Sequence, residues 1–389
     1  MNIPNPGWAY RDSWYRRRID SRYSSCDLFH PAGHGQDPCT AAGLCPVSIE
    51  KVEPPPSLIP YPGKRLTLID CLGTHFRSDM DREIAFGLSQ NHKSIPSKYF
   101  YDARGSRLFD EICTLPEYYP TRTELEILHK YAAFIMSVFR GREGDLIEIG
   151  SGSDLKVRKL LEAVPRHGLR KIRYVPMDIS HAGLVQSSLS ILRDFEGLRI
   201  CGIIGDFTCH LSRLPGGRKL ITFFGGTFGN FPDPQGIELL ENISRIMGPE
   251  DRLLIGIDML KDIAIMEAAY NDSRGVTARF NLNILNHVNH GLQSDFRLHD
   301  FEHRAFFNPD GEQIEMELRA RRDVRTELRR IHMHVHVAKG EAIHTEISRK
   351  FSREKAEGLF RSAGLSPAEW YTDPRGWFSL VCLKANHSS

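Results

Sequence analysis

Four stretches of this chain end an apolar run in glycine or acid, and their residue types suit contacts to a nucleoside. Residues Asp145 to Ser153 read Asp-Leu-Ile-Glu-Ile-Gly-Ser-Gly-Ser. Gly150 and Gly152 there let backbone approach a ligand closely. Asp178 closes the next apolar run, where a carboxylate can accept from the two ribose hydroxyls. Asp206 and Phe207 close the third, an acid and an aromatic suited to an adenine amino group and ring face. Gly225-Gly-Thr-Phe-Gly-Asn230 closes the fourth and would face the reacting group. Each acid alone is equally well a turn former or helix cap. Four such features at four successive strand ends are harder to explain that way. Lys156 is open to two readings: a surface lysine in a helix, or a cation for the carboxylate of a bound amino-acid moiety.

Alternating elements must hold these residues in place. Candidate strands are Leu146 to Ile149, Tyr174 to Met177, Ile200 to Ile204, Leu220 to Phe224 and Leu253 to Ile257. Candidate helices are Leu155 to Ala163, Ala182 to Phe195 and Gly236 to Ile246. This alternation predicts an α/β protein with a parallel, doubly wound sheet, whose ligands lie outside the carboxyl ends of the strands. In the first loop the acid precedes the glycines, unlike the G-x-G-x-x-G of nicotinamide and flavin enzymes. That order makes methyl transfer from a sulfonium cofactor the first hypothesis.

The alternation then breaks. Lys261 to Asp300 reads as helical, and Gln313 to Val337 as antiparallel strands. Ser352 can cap a helix that stops at Gly364, and Trp377 to Lys384 reads as a closing strand. Residues 261 to 350 are therefore a candidate substrate lobe. His332, His334 and His336 are expected on one face of a strand, as a solvated face and not a metal site, because no acid or cysteine is spaced to complete a ligand set. Two tyrosine-dense strings, Lys98 to Ser106 and Leu115 to Glu124, fit either core packing with a wet hydroxyl or recognition of an amine that becomes a quaternary cation.

Composition sets outer limits. The chain has 389 residues, 41% of them hydrophobic, and a formal charge of +2. A near-neutral balance gives no electrostatic argument for nucleic acid or an anionic membrane, and no apolar run reaches the roughly 18 residues of a membrane span. Four of the eight cysteines lie in the first 71 residues, with no C-x-x-C pair. Reduced cytoplasmic thiols are the expected reading, with zinc at Cys39, Cys45 and His30 or His34 a minor alternative. Residues 1–64, rich in Pro, Gly, Arg, Tyr and Ser, are expected to form a flexible N-terminal extension.

Taken together the motifs resemble the histidine-specific Nα-methyltransferases of ergothioneine biosynthesis. The strings that carry the resemblance are Phe100-Tyr-Asp, Leu115-Pro-Glu-Tyr-Tyr-Pro-Thr-Arg, Glu148-Ile-Gly-Ser-Gly, Gly205-Asp-Phe, Thr227-Phe-Gly-Asn, Gly275-Val-Thr-Ala-Arg-Phe-Asn, Arg319-Ala-Arg and Thr345-Glu-Ile-Ser. The resemblance runs from about Leu66 to Lys384. The resemblance implies a Rossmann-like class I methyltransferase sheet, formed by residues 123–260 and 351–389, with a discontinuous α+β substrate-binding domain formed by 65–122 and 261–350. It implies S-adenosylmethionine as cofactor, with contacts from Gly150, Lys156, Asp178, Asp206 and Phe207, and Tyr101 as the catalytic tyrosine beside cofactor and substrate amine. L-Histidine would lie among Tyr118, Asn230, Tyr270, Glu346 and Ser348, with Asn230 and Tyr270 on its carboxylate and Glu346 and Ser348 on its imidazole. The implied reaction is trimethylation to histidine betaine by a cytoplasmic monomer that needs no metal, nucleic acid or membrane. Another aromatic amino acid as substrate, or a non-catalytic cofactor-binding subunit, are the alternatives. Two positions depart from a familiar member of the family: Gly226 stands where that member has Ser, and Ser180 where it has Asp.

Overall fold

A strand whose successive residues are all apolar must be covered on both faces, and Leu146, Ile147, Ile149, Leu220 and Ile221 are all wholly buried. The computed structural model describes residues 57–60, 65–72 and 75–386. Its large sheet has nine strands, in the spatial order Ser57–Pro60 (β1), Leu66–Asp70 (β2), Arg199–Ile204 (β6), Ile172–Asp178 (β5), Gly144–Ile149 (β4), Lys219–Phe223 (β7), Arg252–Asp258 (β8), Phe378–Ala385 (β15) and Leu365–Thr372 (β14). The strands from β2 to β8 are parallel, and β15 runs antiparallel between β8 and β14. The order reverses at β4, so the ends of β4, β5 and β7 flank the switch point where ligands bind in such sheets.

Helices cover the two faces separately. Leu146 and Leu220 pack with Tyr119–Met136 (α3), Leu155–Glu162 (α4), Arg166–Leu169 (α5) and His181–Asp194 (α6). Ile147, Ile149 and Ile221 pack with Asp233–Arg245 (α7) and Arg353–Ser362 (α10). The Ser352 side chain accepts from Lys355 N and caps α10, and Gly364 follows at a positive φ of 70°, as the sequence predicts.

A second sheet orders Lys93–Ser94 (β3), Ala342–Arg349 (β13), Gln313–Ala320 (β10) and Phe301–Asn308 (β9). A separate hairpin pairs Val324–Leu328 (β11) with Met333–Val337 (β12). His75–Ser89 (α1) and Val276–Leu292 (α9) supply Met80, Ile84, Phe280 and Ile284 to its core, with Ala103–Cys113 (α2) and Ile263–Ala268 (α8) adding Ile112 and Met266.

Several expectations change. The extension expected over residues 1–64 lies outside the described residues except 57–60, which pair with β2 as an edge strand. The suggested zinc ligands His30, His34, Cys39 and Cys45 also lie outside them. β2, assigned by sequence to the second lobe, joins the large sheet because alternate residues Leu66 and Leu68 bury against the cluster that holds Ile200. The three histidines do not share one strand face. His332 precedes β12 in a left-handed conformation at φ 51°, and only His334 and His336 alternate on the exposed side. β14 was not anticipated, its Pro367 and exposed centre masking the alternation.

Candidate active site

At the switch point the chain turns sharply. Gly150 takes φ 72°, and Gly150 N and Ser151 N both donate to Met177 O, at 2.8 and 3.2 Å. A Cβ at Gly150 would meet only the Phe207 and Phe223 rings, at 3.7 and 4.0 Å, so backbone conformation rather than space demands glycine there. A Cβ at Gly152 would meet nothing within 4 Å. Between them the buried Ser151 Oγ has no partner among the described residues.

The strand-end acids are held in defined states. Asp178, at the end of β5, accepts from Ser180 N at 2.8 Å, and burial pushes its carboxyl up to about 6. Burial also opposes ionisation of Asp206. There Lys98 at 3.2 Å, with Thr208 N and Oγ1 at 2.9 and 2.6 Å, outweighs it and keeps the carboxyl below its usual value. The Phe207 ring stands edge-on to Phe223 at 5.3 Å. Lys156 is no surface lysine: its Nζ lies 2.6 Å from Glu124 Oε2. Burial works against the ammonium, and Glu124 outweighs it. Both Glu124 oxygens also accept from Gly225 N, at 2.9 and 3.1 Å.

The fourth strand end and the second sheet then meet. Thr227–Asn230 forms a 3-10 turn after β7. It reaches β13 because Gly229 lies so close that a Cβ there would stand 2.8 Å from Arg349 O. Asn230 Nδ2 thereby comes within 3.4 Å of Glu346 Oε2. Glu346 and Ser348, two residues apart on β13, share one face. Burial pushes the Glu346 carboxyl up to about 8, against the pull of Lys350. Tyr270 Oη donates to Ser348 Oγ at 2.6 Å, and the Tyr118 ring lies edge-on to Tyr270 at 6.4 Å. Tyr101 packs edge-on against Phe109 and Phe280 at 5.6 and 5.8 Å. Burial, followed by the charges of Glu346, Cys113 and Asp178, holds its phenol well above 10. Tyr101 is thus a neutral hydroxyl under the influence of both the Asp178 and Glu346 ends.

Sequence reading gave no role to a buried network behind these residues. Asp258, at the end of β8, accepts from Tyr119 Oη at 2.9 Å, Lys261 Nζ at 2.6 Å and Lys350 Nζ at 2.8 Å. Lys350 also donates to Ser348 Oγ and Tyr270 Oη. The strand-end rule that selected Asp178 and Asp206 applies equally to Asp258. Glu124 ends the tyrosine-dense stretch that begins at Leu115. Nothing in local sequence marks Lys350. Glu148, the acid of the first loop, accepts from Tyr174 Oη, and burial pushes it up to about 8.

A family model described as histidine-specific, S-adenosylmethionine-dependent methyltransferase matches residues 80–385. The chain belongs to this family. It is 41% identical over 300 residues to the histidine N-alpha-methyltransferase of Mycolicibacterium smegmatis, covering 77% of this chain and 92% of that protein. Against the histidine N-alpha-methyltransferase of Mycobacterium tuberculosis the identity is 40% over the same shares. Ergothioneine biosynthesis protein 1 of Neurospora crassa is 31% identical over 298 residues, which cover 72% of this chain but 32% of that longer protein.

For a methyltransferase of this family the two departures have local explanations. Ser180 caps α6, its side chain accepting from Gly183 N at 3.3 Å. A Cβ at Gly226 would meet nothing within 4 Å, and its φ is −84°, so the position accepts other residues. Among the described residues no helix is long and apolar enough to cross a membrane.

Proposed function

We propose that this methyltransferase transfers methyl groups from S-adenosylmethionine to the α-amine of L-histidine, three times, giving histidine betaine for ergothioneine biosynthesis. The observation that carries the reading is the grouping of Asn230, Glu346, Ser348 and Tyr270 beside the ends of the parallel strands. An indole could serve only one of Glu346 and Ser348 and a phenyl ring neither, a loss of roughly 1–3 kcal/mol for each buried group left without a ring partner.

The cofactor side fits a nucleoside. Open space over Gly152, the unpartnered Ser151 hydroxyl and a buried carboxyl at Asp178 all call for a polar ligand. In this reading the Gly150 turn and Lys156 hold the amino-acid portion of S-adenosylmethionine, Asp178 the ribose, and Asp206 and Phe207 the adenine. Bound S-adenosylmethionine supplies a methyl already activated by the sulfonium charge. The protein's contribution is position, worth roughly 7–11 kcal/mol of barrier when both partners are oriented. Tyr101, neutral at working pH, orients the amine through its hydroxyl and is not a tyrosinate base. Asn230 and Tyr270 would take the carboxylate, with Tyr118 closing the side of the site.

We read the protein as cytoplasmic, which fractionation of the source cells checks. We read the protein as a monomer, which light scattering of the purified chain checks. The deciding experiment is mass spectrometry of a panel of amino acids incubated with enzyme and S-adenosylmethionine. Three methyls on histidine alone are expected. Methylation of an aromatic amino acid instead, or none at all, refutes the assignment.

A further inference from the structure

A lysine that holds two hydroxyls as acceptors decides where their hydrogens go. Lys350 is wholly buried, and its ammonium has three hydrogens to donate. They go to Asp258 Oδ2 at 2.8 Å, Ser348 Oγ at 2.8 Å and Tyr270 Oη at 3.1 Å. A hydroxyl that accepts from an ammonium must turn its own hydrogen elsewhere. Tyr270 turns its hydrogen to Ser348 Oγ at 2.6 Å. Ser348 Oγ thus accepts twice, which uses both lone pairs, and its own hydrogen has no acceptor among the described residues. If Tyr270 turns its hydrogen onto a bound carboxylate instead, Lys350 still occupies one lone pair on each oxygen, and its ammonium 2.8 Å from Ser348 Oγ disfavours a second cationic donor at the lone pair that Ser348 keeps. The charge behind the pair acts in the same sense. Lys350 and Lys261 share one carboxylate, Asp258, and Asp373 lies on the Lys261 side, so the charge next to Ser348 and Tyr270 is the Lys350 ammonium.

We propose that Lys350 is a positioning residue whose ammonium makes Ser348 and Tyr270 hydrogen-bond donors, so that the site takes histidine with a neutral imidazole, ring N–H on Glu346 and bare nitrogen on Ser348. The proposal rests on the histidine reading above and adds to it the protonation state and polarity of the ring. An imidazolium has two N–H donors and no acceptor. Glu346 would satisfy one of them, and the other would face the Ser348 hydroxyl with the Lys350 ammonium directly behind it.

Other ionisable groups lie nearby. Asp258 and Lys261 stand behind the pair, with Tyr119 bonded to both and Asp373 acting on Lys261. Glu346, Tyr101 and Tyr118 interact with Tyr270 from the other side. The test therefore compares, at each pH, two ligands that both set a ring N–H against Glu346 and meet the same surrounding groups. L-Triazolylalanine matches histidine in size and keeps a neutral ring with one N–H and bare nitrogens.

Calorimetry on the full chain saturated with S-adenosylhomocysteine gives Kd for both ligands at pH 7.5 and 5.5. The ratio of the histidine Kd to the triazolylalanine Kd is expected to rise about tenfold on acidification, because an imidazole with pKa about 6.5 falls from about nine-tenths to one-tenth neutral. In Lys350→Met, or in Lys350→Leu if the first is poorly folded, Ser348 regains a lone pair and the ratio should move less than about threefold. A variant that merely loosens the site would weaken both ligands and keep the tenfold change, which overturns the role of Lys350. Nitrogen NMR of ring-labelled histidine on the unaltered protein at pH 6 needs no variant. One protonated and one bare ring nitrogen are expected, and a bound imidazolium overturns the proposal. If histidine does not bind even at pH 7.5, the substrate reading itself falls. If it binds with a flat ratio, only this inference falls.

Discussion

Lys156 Nζ and Glu124 Oε2 meet at 2.6 Å, and the Glu124 carboxylate has no solvent exposure. The same carboxylate receives Gly225 N, so one acid from α3 ties the first turn of α4 to the loop after β7. Removing one member of a buried pair leaves the other uncompensated and typically costs about 3–5 kcal/mol. Lys156 retains some solvent, which places Glu124→Gln near the low end. The variant should lose several degrees of melting temperature and bind S-adenosylmethionine more weakly. Unchanged cofactor affinity by calorimetry would show that the Gly225 loop does not depend on this tie.

Glu346 is expected to serve the amino-acid substrate and not the cofactor. Deleting a partner of a buried polar group costs about 1–3 kcal/mol, so Glu346→Ala should weaken histidine binding by roughly tenfold to a hundredfold. S-adenosylmethionine affinity should stay within about twofold. Equal losses for both ligands would remove Glu346 from the imidazole role.

Tyr101 keeps its proton, since burial and neighbouring negative charge hold its phenol well above 10. Its hydroxyl can therefore orient an amine but cannot serve as a pre-formed base. Tyr101→Phe preserves the packing on Phe109 and Phe280 while deleting that hydroxyl. We expect kcat to fall at each of the three methylations, with histidine Kd changed little. Turnover equal to that of the parent through all three additions would contradict the assignment.

Asp178 sets a pH dependence for cofactor binding. Its carboxyl is raised to about 6 in the ligand-free protein, and ribose hydroxyls donating to it favour the ionised form. S-adenosylmethionine affinity should then be constant above about pH 7 and fall about tenfold per unit below about pH 6, because the proton must leave first. Asp178→Asn should bind weakly with no such slope. Persistence of the slope in that variant would assign the ionisation to another group.

Adjacent glycines should respond in opposite ways to substitution. Gly225 takes φ 75°, and a Cβ there would lie 3.2 Å from Lys156 Nζ, so Gly225→Ala should destabilise by about 1 kcal/mol or more. Gly226 takes φ −84° with open space around it, so Gly226→Ser should stay within about 0.5 kcal/mol. Denaturant titration compares the two directly. A large loss at Gly226 would mean that the loop packs more tightly than its geometry indicates.

The large sheet was legible from sequence because strands buried on both faces leave apolar runs, as at Leu253 to Ile257, and helices following them repeat at their own period. Edge elements were less so. β14 carries a proline and exposed residues, and β2 could be placed only by its partner Ile200, which lies more than a hundred positions away. The histidine triplet failed for a local reason: a left-handed residue at His332 breaks the alternation that would have aligned all three.

For the site, residue types at strand ends were enough to name the glycine turn, Asp178, Asp206 and Phe207, because strand polarity alone puts them at one edge of the sheet. The family strings extended this to Tyr101, Tyr118, Asn230, Tyr270, Glu346 and Ser348. Sequence alone thus determined which residues meet donor and acceptor in this reading. Only the tertiary structure decided their states. Glu124 beside Lys156, and Lys350 behind Ser348 and Tyr270, join residues from separate elements. Burial of a charge, and the direction of a hydrogen bond it imposes, depend on what lies across the fold, and no local pattern encodes that.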